Sequence, residues 1–326
     1  MPSVYEDVLN RARNGILRAG GDPTYADGDD STWLNVDWPS LSRDLEIDGS
    51  LVHVVDTGGD KPPLLFIHGL GGVWQNWLLT IPAFMESHRC VALDLPGFGE
   101  SEMPSGDLSI AGFARTVDAV CDHLGIDCPV VIGNSMGGFV GAELAISFPT
   151  RVDKLVLVAA AGLSTEYVMR EPVLALGRAL TAVTARAGAA ADPILRRKRL
   201  RRVILQAVVR YPERLSVPLA TELARGAGSP GFNSAFRELL AYSFRDKLEQ
   251  IKVPTLIVWG RNDILVPVED AATFEHLIGE NAHHVIFEDT GHMPMLERPH
   301  RFNALLAGFL AGEREPELRI TGASRL

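Results

Sequence analysis

The chain has 326 residues, of which 46% are hydrophobic and 22% charged, and a formal net charge of −10. Those values fit one large globular α/β domain, or a domain with an insertion. They disfavour general nucleic-acid binding, and no run of about 18 apolar residues points to a transmembrane helix.

Residues 1–40 read as an N-terminal extension, a short helix followed by loose acidic loops around Asp22-Pro23 and Asp27-Gly28. Met1 to Gly20 lacks a continuous apolar stretch, so a signal peptide is not expected. Cys90, Cys121 and Cys128 are an odd number without metal-ligand spacing, and read as free thiols of a cytoplasmic protein. Ser42–Asp48 and Leu51–Asp56 alternate like strands about an Asp48-Gly49 turn, which predicts a hairpin. Pro63–Ile67 is apolar without alternation, as a strand buried on both faces requires. It runs into His68-Gly69-Leu70-Gly71-Gly72. Trp74–Ser87 has helical composition, interrupted or kinked at Pro82. Arg89–Leu93 is a strand ending in Asp94-Leu95-Pro96-Gly97-Phe98-Gly99. Ile110–Leu124 is an amphipathic helix with Phe113, Val117, Val120, Cys121 and Leu124 on one face. A strand at Pro129–Ile132, a helix at Gly137–Phe148 and a strand at Lys154–Val158 follow. This alternation predicts a mostly parallel sheet with helices on both faces.

At Ala161-Gly162 the alternation stops, and residues 163–248 read as helical throughout. Leu200, Val203, Ile204, Ala207 and Val208 recur at helical spacing and are expected to pack inward. Arg196, Arg197, Lys198, Arg199, Arg201 and Arg202 crowd the same stretch, and their charges are expected outside the core. Residues 162–250 carry 15 Lys and Arg against 8 Asp and Glu, a balance opposite in sign to the rest of the chain. The basic run is open to three readings: a solvated helix face, attraction of an anionic substrate, or contact with an anionic membrane surface. The β/α pattern resumes with Val253–Trp259, Val268–Ile278, His284–Phe287 and Pro299–Leu310. The expected organisation is a core of residues 41–162 and 249–312, a helical insertion at 163–248 and a charged tail at 313–326.

Chemistry concentrates at Val130-Val131-Ile132-Gly133-Asn134-Ser135-Met136-Gly137-Gly138-Phe139. A strand, a Gly-x-Ser-x-Gly turn and a helix are what a nucleophile elbow needs. The glycines allow close approach of backbone where a serine stands at the apex of a strained turn. The following helix aims N–H groups at the place where charge develops on an attacked carbonyl. A serine hydroxyl also needs a base, and the base an orienting acid. Asp263 follows one buried strand in Val258-Trp259-Gly260-Arg261-Asn262-Asp263. His292 follows the last strand in Asp289-Thr290-Gly291-His292-Met293-Pro294. The order Ser135, Asp263, His292 is that of elbow-type hydrolases, and reactive groups of open parallel sheets gather at the carboxyl ends of the strands. His68 is expected to hydrogen-bond loop backbone, and Asp94 to tie down the turn that follows it. His283 and His284 lack partners at ligand spacing and read as structural. No metal or other cofactor is expected.

With these motifs the chain resembles the α/β-hydrolase superfamily from about Leu51 to Phe309, the insertion lying where that family carries its helical cap. The resemblance implies that His68-Gly69-Leu70-Gly71 is an oxyanion loop and that the N–H groups of Leu70 and Met136 form the oxyanion hole. The stretches 94–99 and 291–299 are further family signatures. A serine at the elbow argues against haloalkane dehalogenases and epoxide hydrolases, which use Asp there. Gly133-Asn134-Ser135-Met136-Gly137-Gly138 is similar to the elbow of meta-cleavage C–C bond hydrolases. Those enzymes usually have an aromatic residue where this chain has Met293, and tend to have Pro where it has Gly71-Gly72. Esterases and lipases tolerate both. The resemblance therefore implies hydrolysis of a small carboxylic ester first, with C–C hydrolysis or cofactor-free perhydrolysis as alternatives. Non-catalytic binders of this fold would be expected to have lost a triad member or the oxyanion glycines, and none is missing here.

Overall fold

The computed structural model describes residues 31–106, 108–164 and 191–313. Eight strands form one sheet: β1 (Ser42–Ile47), β2 (Ser50–Asp56), β3 (Pro63–Ile67), β4 (Arg89–Leu93), β5 (Val130–Asn134), β6 (Lys154–Val158), β7 (Thr255–Gly260) and β8 (Ala282–Phe287). Their order is β1-β2-β4-β3-β5-β6-β7-β8. From β4 through β8 every pairing is parallel, and the β1–β2 hairpin joins the edge antiparallel. The hairpin turns through two consecutive residues in the left-handed region, Asp48 (φ 49°) and Gly49 (φ 76°), a conformation that matches the twist of the flanking strands.

The hairpin is fastened by charge as well as by its ladder. The buried Asp56 carboxylate at the end of β2 receives Arg43 from β1 and two hydrogen bonds from Arg89 of β4, at 2.9 and 2.7 Å. Burial alone would raise this carboxyl. The Arg89 hydrogen bond, the Gly58 N–H and the charges of Arg89 and Arg43 outweigh it and hold Asp56 below the ordinary carboxylate value.

The central strands β3, β5, β6 and β7 are buried on both faces, which is why their sequences run apolar without alternation. Helices α1 (Ile110–Leu124), α2 (Met136–Ser147) and α6 (Glu269–Ile278) bury their apolar sides in one core. Ser109 caps α1 by accepting from Gly112 N–H at 3.0 Å, and Gly125 ends it at φ 63°. The other face is covered by α7 (Pro299–Leu310), with Phe302, Leu305 and Leu306 packed near Trp77 and Phe66.

Four expectations need correction or restriction. Trp74–Ser87 is not one helix but a 3₁₀ turn, Trp74–Trp77, and a one-turn helix, Ile81–Phe84, because Pro82 fits only within a first turn. Of the insertion between β6 and β7, residues 163–164 and those from 191 onward are described. It holds α3 (Lys198–Leu205), α4 (Val217–Leu223) and α5 (Phe232–Ala241), joined by 3₁₀ turns, with no strand among the described residues. Residues 165–190 of the expected helical block lie outside the described residues, as do 1–30 and 314–326 of the extension and tail. The apolar stripe does not pack inward as a unit. Ala207 is buried and Ile204 partly so, while Leu200 and Val203 are 39% and 67% exposed. Nor are all the basic side chains outside. Arg201 is buried, and its guanidinium donates to the carbonyls of Leu195 and Glu213 at 3.1 and 3.0 Å. Arg201 lies one turn before Leu205 on the inner face, so the stripe is rotated from the position that hydrophobicity alone assigns.

Candidate active site

Ser135 stands between β5 and α2 with φ 55° and ψ −118°, a sparsely populated backbone conformation for a residue with a Cβ. Its surroundings hold it there. Its N–H donates to Val158 O at 2.9 Å, and its own carbonyl accepts from Ala161 N–H at 3.0 Å and Phe139 N–H at 3.1 Å. The turn is tight enough that a Cβ at Gly133 would lie 2.2 Å from Gly137 O, and one at Gly137 2.2 Å from Ile67 O. The loop after β3 also packs against the elbow, since a Cβ at Gly69 would lie 2.9 Å from the Ser135 Cβ. Leu70 in that loop and Ser135 line the same cavity. Met136 opens α2, so its N–H has no acceptor within the helix.

His292 and Asp263 come together from the loops after β8 and β7. His292 Nδ1 lies 2.7 Å from Asp263 Oδ2. The second oxygen of Asp263 accepts the N–H groups of Leu265 and Val266 at 2.8 and 3.0 Å. A carboxylate held on one oxygen by backbone and facing imidazole with the other fixes Nδ1–H as the donor. Nε2 is thereby left as an acceptor. Both side chains are buried, and His292 lines the cavity with Ser135.

Two further residues shape this place. Asn134 Nδ2 donates to Val158 O at 3.0 Å and to His292 O at 3.3 Å, tying the elbow to the histidine's backbone. Glu297 is fully buried, and its carboxylate accepts from Gly291 N–H at 2.9 Å and Met293 N–H at 3.1 Å, the two amides flanking His292. It also accepts Arg210 N–H of the insertion at 3.0 Å. The Arg210 guanidinium and Tyr211 hydroxyl meet Asp289 at 2.6 and 3.0 Å. The insertion is therefore bonded directly to the loop that carries His292. Asn134 was visible in the elbow motif and Glu297 in the 291–299 signature, but nothing local to either shows its partners.

The remaining candidates are structural. His68 is fully buried. Its Nδ1–H donates to Gly69 O at 2.7 Å, and Nε2 accepts Leu95 N–H at 2.9 Å. Burial pushes its imidazole below the ordinary value against the opposing charge of Asp94. Asp94 accepts Trp74 N–H and Glu100 N–H at 2.7 and 2.9 Å, tying down the turn as expected. His284 and His283 face Glu275 at 2.6 and 3.6 Å. Among the described residues, no three of His, Cys, Asp and Glu come together in a way that could hold a metal ion. The three cysteines form no disulfide, and burial pushes the Cys90 and Cys121 thiols up to about 12. No described helix is long and apolar enough to cross a membrane.

The cavity occupies about 240 Å³. Its floor is the Gly69–Gly72 loop, Asn134, Ser135 and His292, and its roof comes from the insertion, including Ile204, Val208, Leu223, Phe232 and Leu239. Among the described residues its lining contains no Lys, Arg, Asp or Glu.

Residues 62–299 match the family model described as alpha/beta hydrolase fold, and the chain belongs to that family. It is 32% identical over 272 residues to a 2-hydroxy-6-oxononadienedioate/2-hydroxy-6-oxononatrienedioate hydrolase of Paraburkholderia phymatum, covering 79% of this chain and 90% of that protein. It is 31% identical over 279 residues to the dihydrolipoyllysine-residue acetyltransferase component of an acetoin cleaving system of Cupriavidus necator, covering 82% of this chain and 68% of that one. A crystal structure of a bacterial membrane phospholipase A superposes with a TM-score of 0.68 at 26% identity, covering 95% of this chain and 98% of the other.

Proposed function

We propose that the chain is a serine hydrolase of neutral carboxylic esters with an apolar acyl or alcohol part, acting through an acyl-enzyme. Ser135 Oγ attacks the ester carbonyl while His292 Nε2 takes its proton. Asp263 holds the imidazole in the productive tautomer and stabilises its charged form. The N–H groups of Leu70 and Met136 receive the oxyanion. The alcohol leaves with the proton from His292. Water, deprotonated by His292, then attacks the acyl-enzyme and releases the carboxylic acid and Ser135. The insertion, with proposed limits 163–248, acts as a cap that screens the site from water and shapes its pocket. No metal or other cofactor enters any step.

The observation that carries the choice of substrate is the absence of Lys, Arg, Asp and Glu from the described lining. The relative from Paraburkholderia phymatum is named for dienedioates, which carry two carboxylates. Bringing a carboxylate into a cavity whose described lining offers no cation costs several kcal/mol of desolvation without a compensating partner. A neutral ester avoids that cost. The second reading, C–C bond hydrolysis of a ring-fission product, is supported by the 32% identity to that relative and by the elbow sequence. Turnover of neutral chromogenic esters of graded acyl length, measured beside one dienoic substrate in wild type and Ser135→Ala, tests the choice. Ester turnover lost in the variant supports the proposal. Turnover of the dienoic substrate alone sinks it.

A further inference from the structure

The outer face of α3 has no role in the chemistry above, and its composition is unusual for a solvated surface. Within α3, Arg199, Leu200 and Val203 fall on one side of the helix. All three are exposed, Val203 at 67%, and Arg197 and Lys198 at the start of the helix are exposed as well. Ile204 and Leu205 of the same helix line the cavity, with Ala207 and Val208 just beyond. Arg201 and Arg202 are drawn away from the outer face, the first to backbone carbonyls and the second toward Glu213 at 3.9 Å. The outer face therefore sets two branched aliphatic side chains beside Arg199, with Arg197 and Lys198 exposed at the N-terminal end of the same helix.

We propose that this face of α3 docks on the surface of an anionic lipid bilayer. Leu200 and Val203 would enter the boundary between headgroups and acyl chains, with Arg197, Lys198 and Arg199 against lipid phosphates. Long cationic side chains can reach headgroups while their stems lie along an apolar surface. A plain solvated face would gain nothing from setting its most exposed aliphatic residues next to a run of cations. A nucleic-acid backbone would use the cations but gain nothing from Leu200 and Val203. The charge asymmetry orients the approach: residues 162–250 carry 15 Lys and Arg against 8 Asp and Glu, while the whole chain carries −10. An anionic surface attracts this segment and repels the remainder. Docking would set the helix that walls the cavity directly on the lipid. The proposal rests on the exposed face and its charge, so it stands or falls independently of the ester reading.

Co-sedimentation of the full chain with vesicles measures it. Phosphatidylcholine vesicles are compared with vesicles in which about a third of the lipid is phosphatidylglycerol, at low ionic strength and at about 0.5 M salt, where surface charge is strongly screened. Binding to the anionic vesicles alone, weakening with salt, is expected. Arg197→Gln with Arg199→Gln should weaken it about 30-fold. Leu200→Ser with Val203→Ser should weaken it about tenfold or more and leave its salt dependence in place. Both variants should melt with the wild type and hydrolyse a water-soluble ester at its rate, since none of the four residues lines the cavity. Equal sedimentation with both vesicle types, absence of binding, or undiminished binding by either folded variant overturns the proposal. So does salt-sensitive binding to DNA or heparin with none to anionic vesicles.

Discussion

The α/β core and the helical insertion solve opposite problems. The core holds Ser135, Asp263 and His292 on three strand ends, where backbone hydrogen bonds and close-packed glycines leave little freedom. The insertion contributes apolar side chains to a cavity wall through short helices joined by 3₁₀ turns. A change in the core should therefore alter the rate of chemistry or the stability of the fold. A change in the insertion should alter which substrate is held. The two meet at Glu297, Arg210 and Asp289.

The largest effect belongs to the core. Ser135→Ala should lower the hydrolytic rate on the order of 10³-fold or more, with substrate affinity nearly unchanged in equilibrium binding. A variant that keeps wild-type turnover would remove the proposed nucleophile.

Next in size is a purely structural change. Asp56→Asn leaves Arg43 and Arg89 without their carboxylate and should cost about 3 kcal/mol in denaturant unfolding at neutral pH. Because the folded-state pKa of Asp56 lies below its ordinary value of 3.8, its stabilisation is complete above that value and is lost as pH falls through the folded pKa. The difference between wild type and variant should shrink below about pH 4. A difference that is constant or widens into acid would contradict the assigned pairing.

Glu297→Gln tests the junction. It keeps the volume and weakens the grip on the amides of Gly291 and Met293, so kcat should fall about 10²-fold with a smaller change in KM. A fall in thermal stability with kcat intact would show that Glu297 supports the fold and not the orientation of His292. The smallest effect is expected in the roof. Ile204→Ala should lower kcat/KM for a long acyl chain about tenfold relative to a short one, without moving the unfolding midpoint of the core. An equal loss for both chain lengths would place Ile204 outside the acyl site.

The difference between the two regions also explains what the sequence discloses. Pro63–Ile67, Arg89–Leu93, Lys154–Val158, Ile110–Leu124 and Pro299–Leu310 are read with their observed limits, because each is a local pattern of burial, period and capping. The places of Ser135, Asp263 and His292 are legible for the same reason: each stands in a short motif at a strand end. The roof is not legible in this way. Helical periodicity locates an apolar stripe around Leu200 to Val208 but does not say which side meets the core. That is decided by Arg201, whose guanidinium finds carbonyls at Leu195 and Glu213 and turns Leu200 and Val203 outward. Glu297 is hidden differently. Its identity is in plain view, but one of its partners, Arg210, lies 87 residues away in the chain.

The proposal that the cavity above Ser135, whose described lining carries no Lys, Arg, Asp or Glu, takes a neutral ester can be tested directly. The most direct measurement is kcat/KM for a neutral medium-chain ester and for a matched ester ending in a carboxylate, at one ionic strength. The account predicts a preference for the neutral ester of about 10²-fold or more, from the cost of an unpaired buried carboxylate. Equal rates, or a preference for the carboxylate, would contradict it.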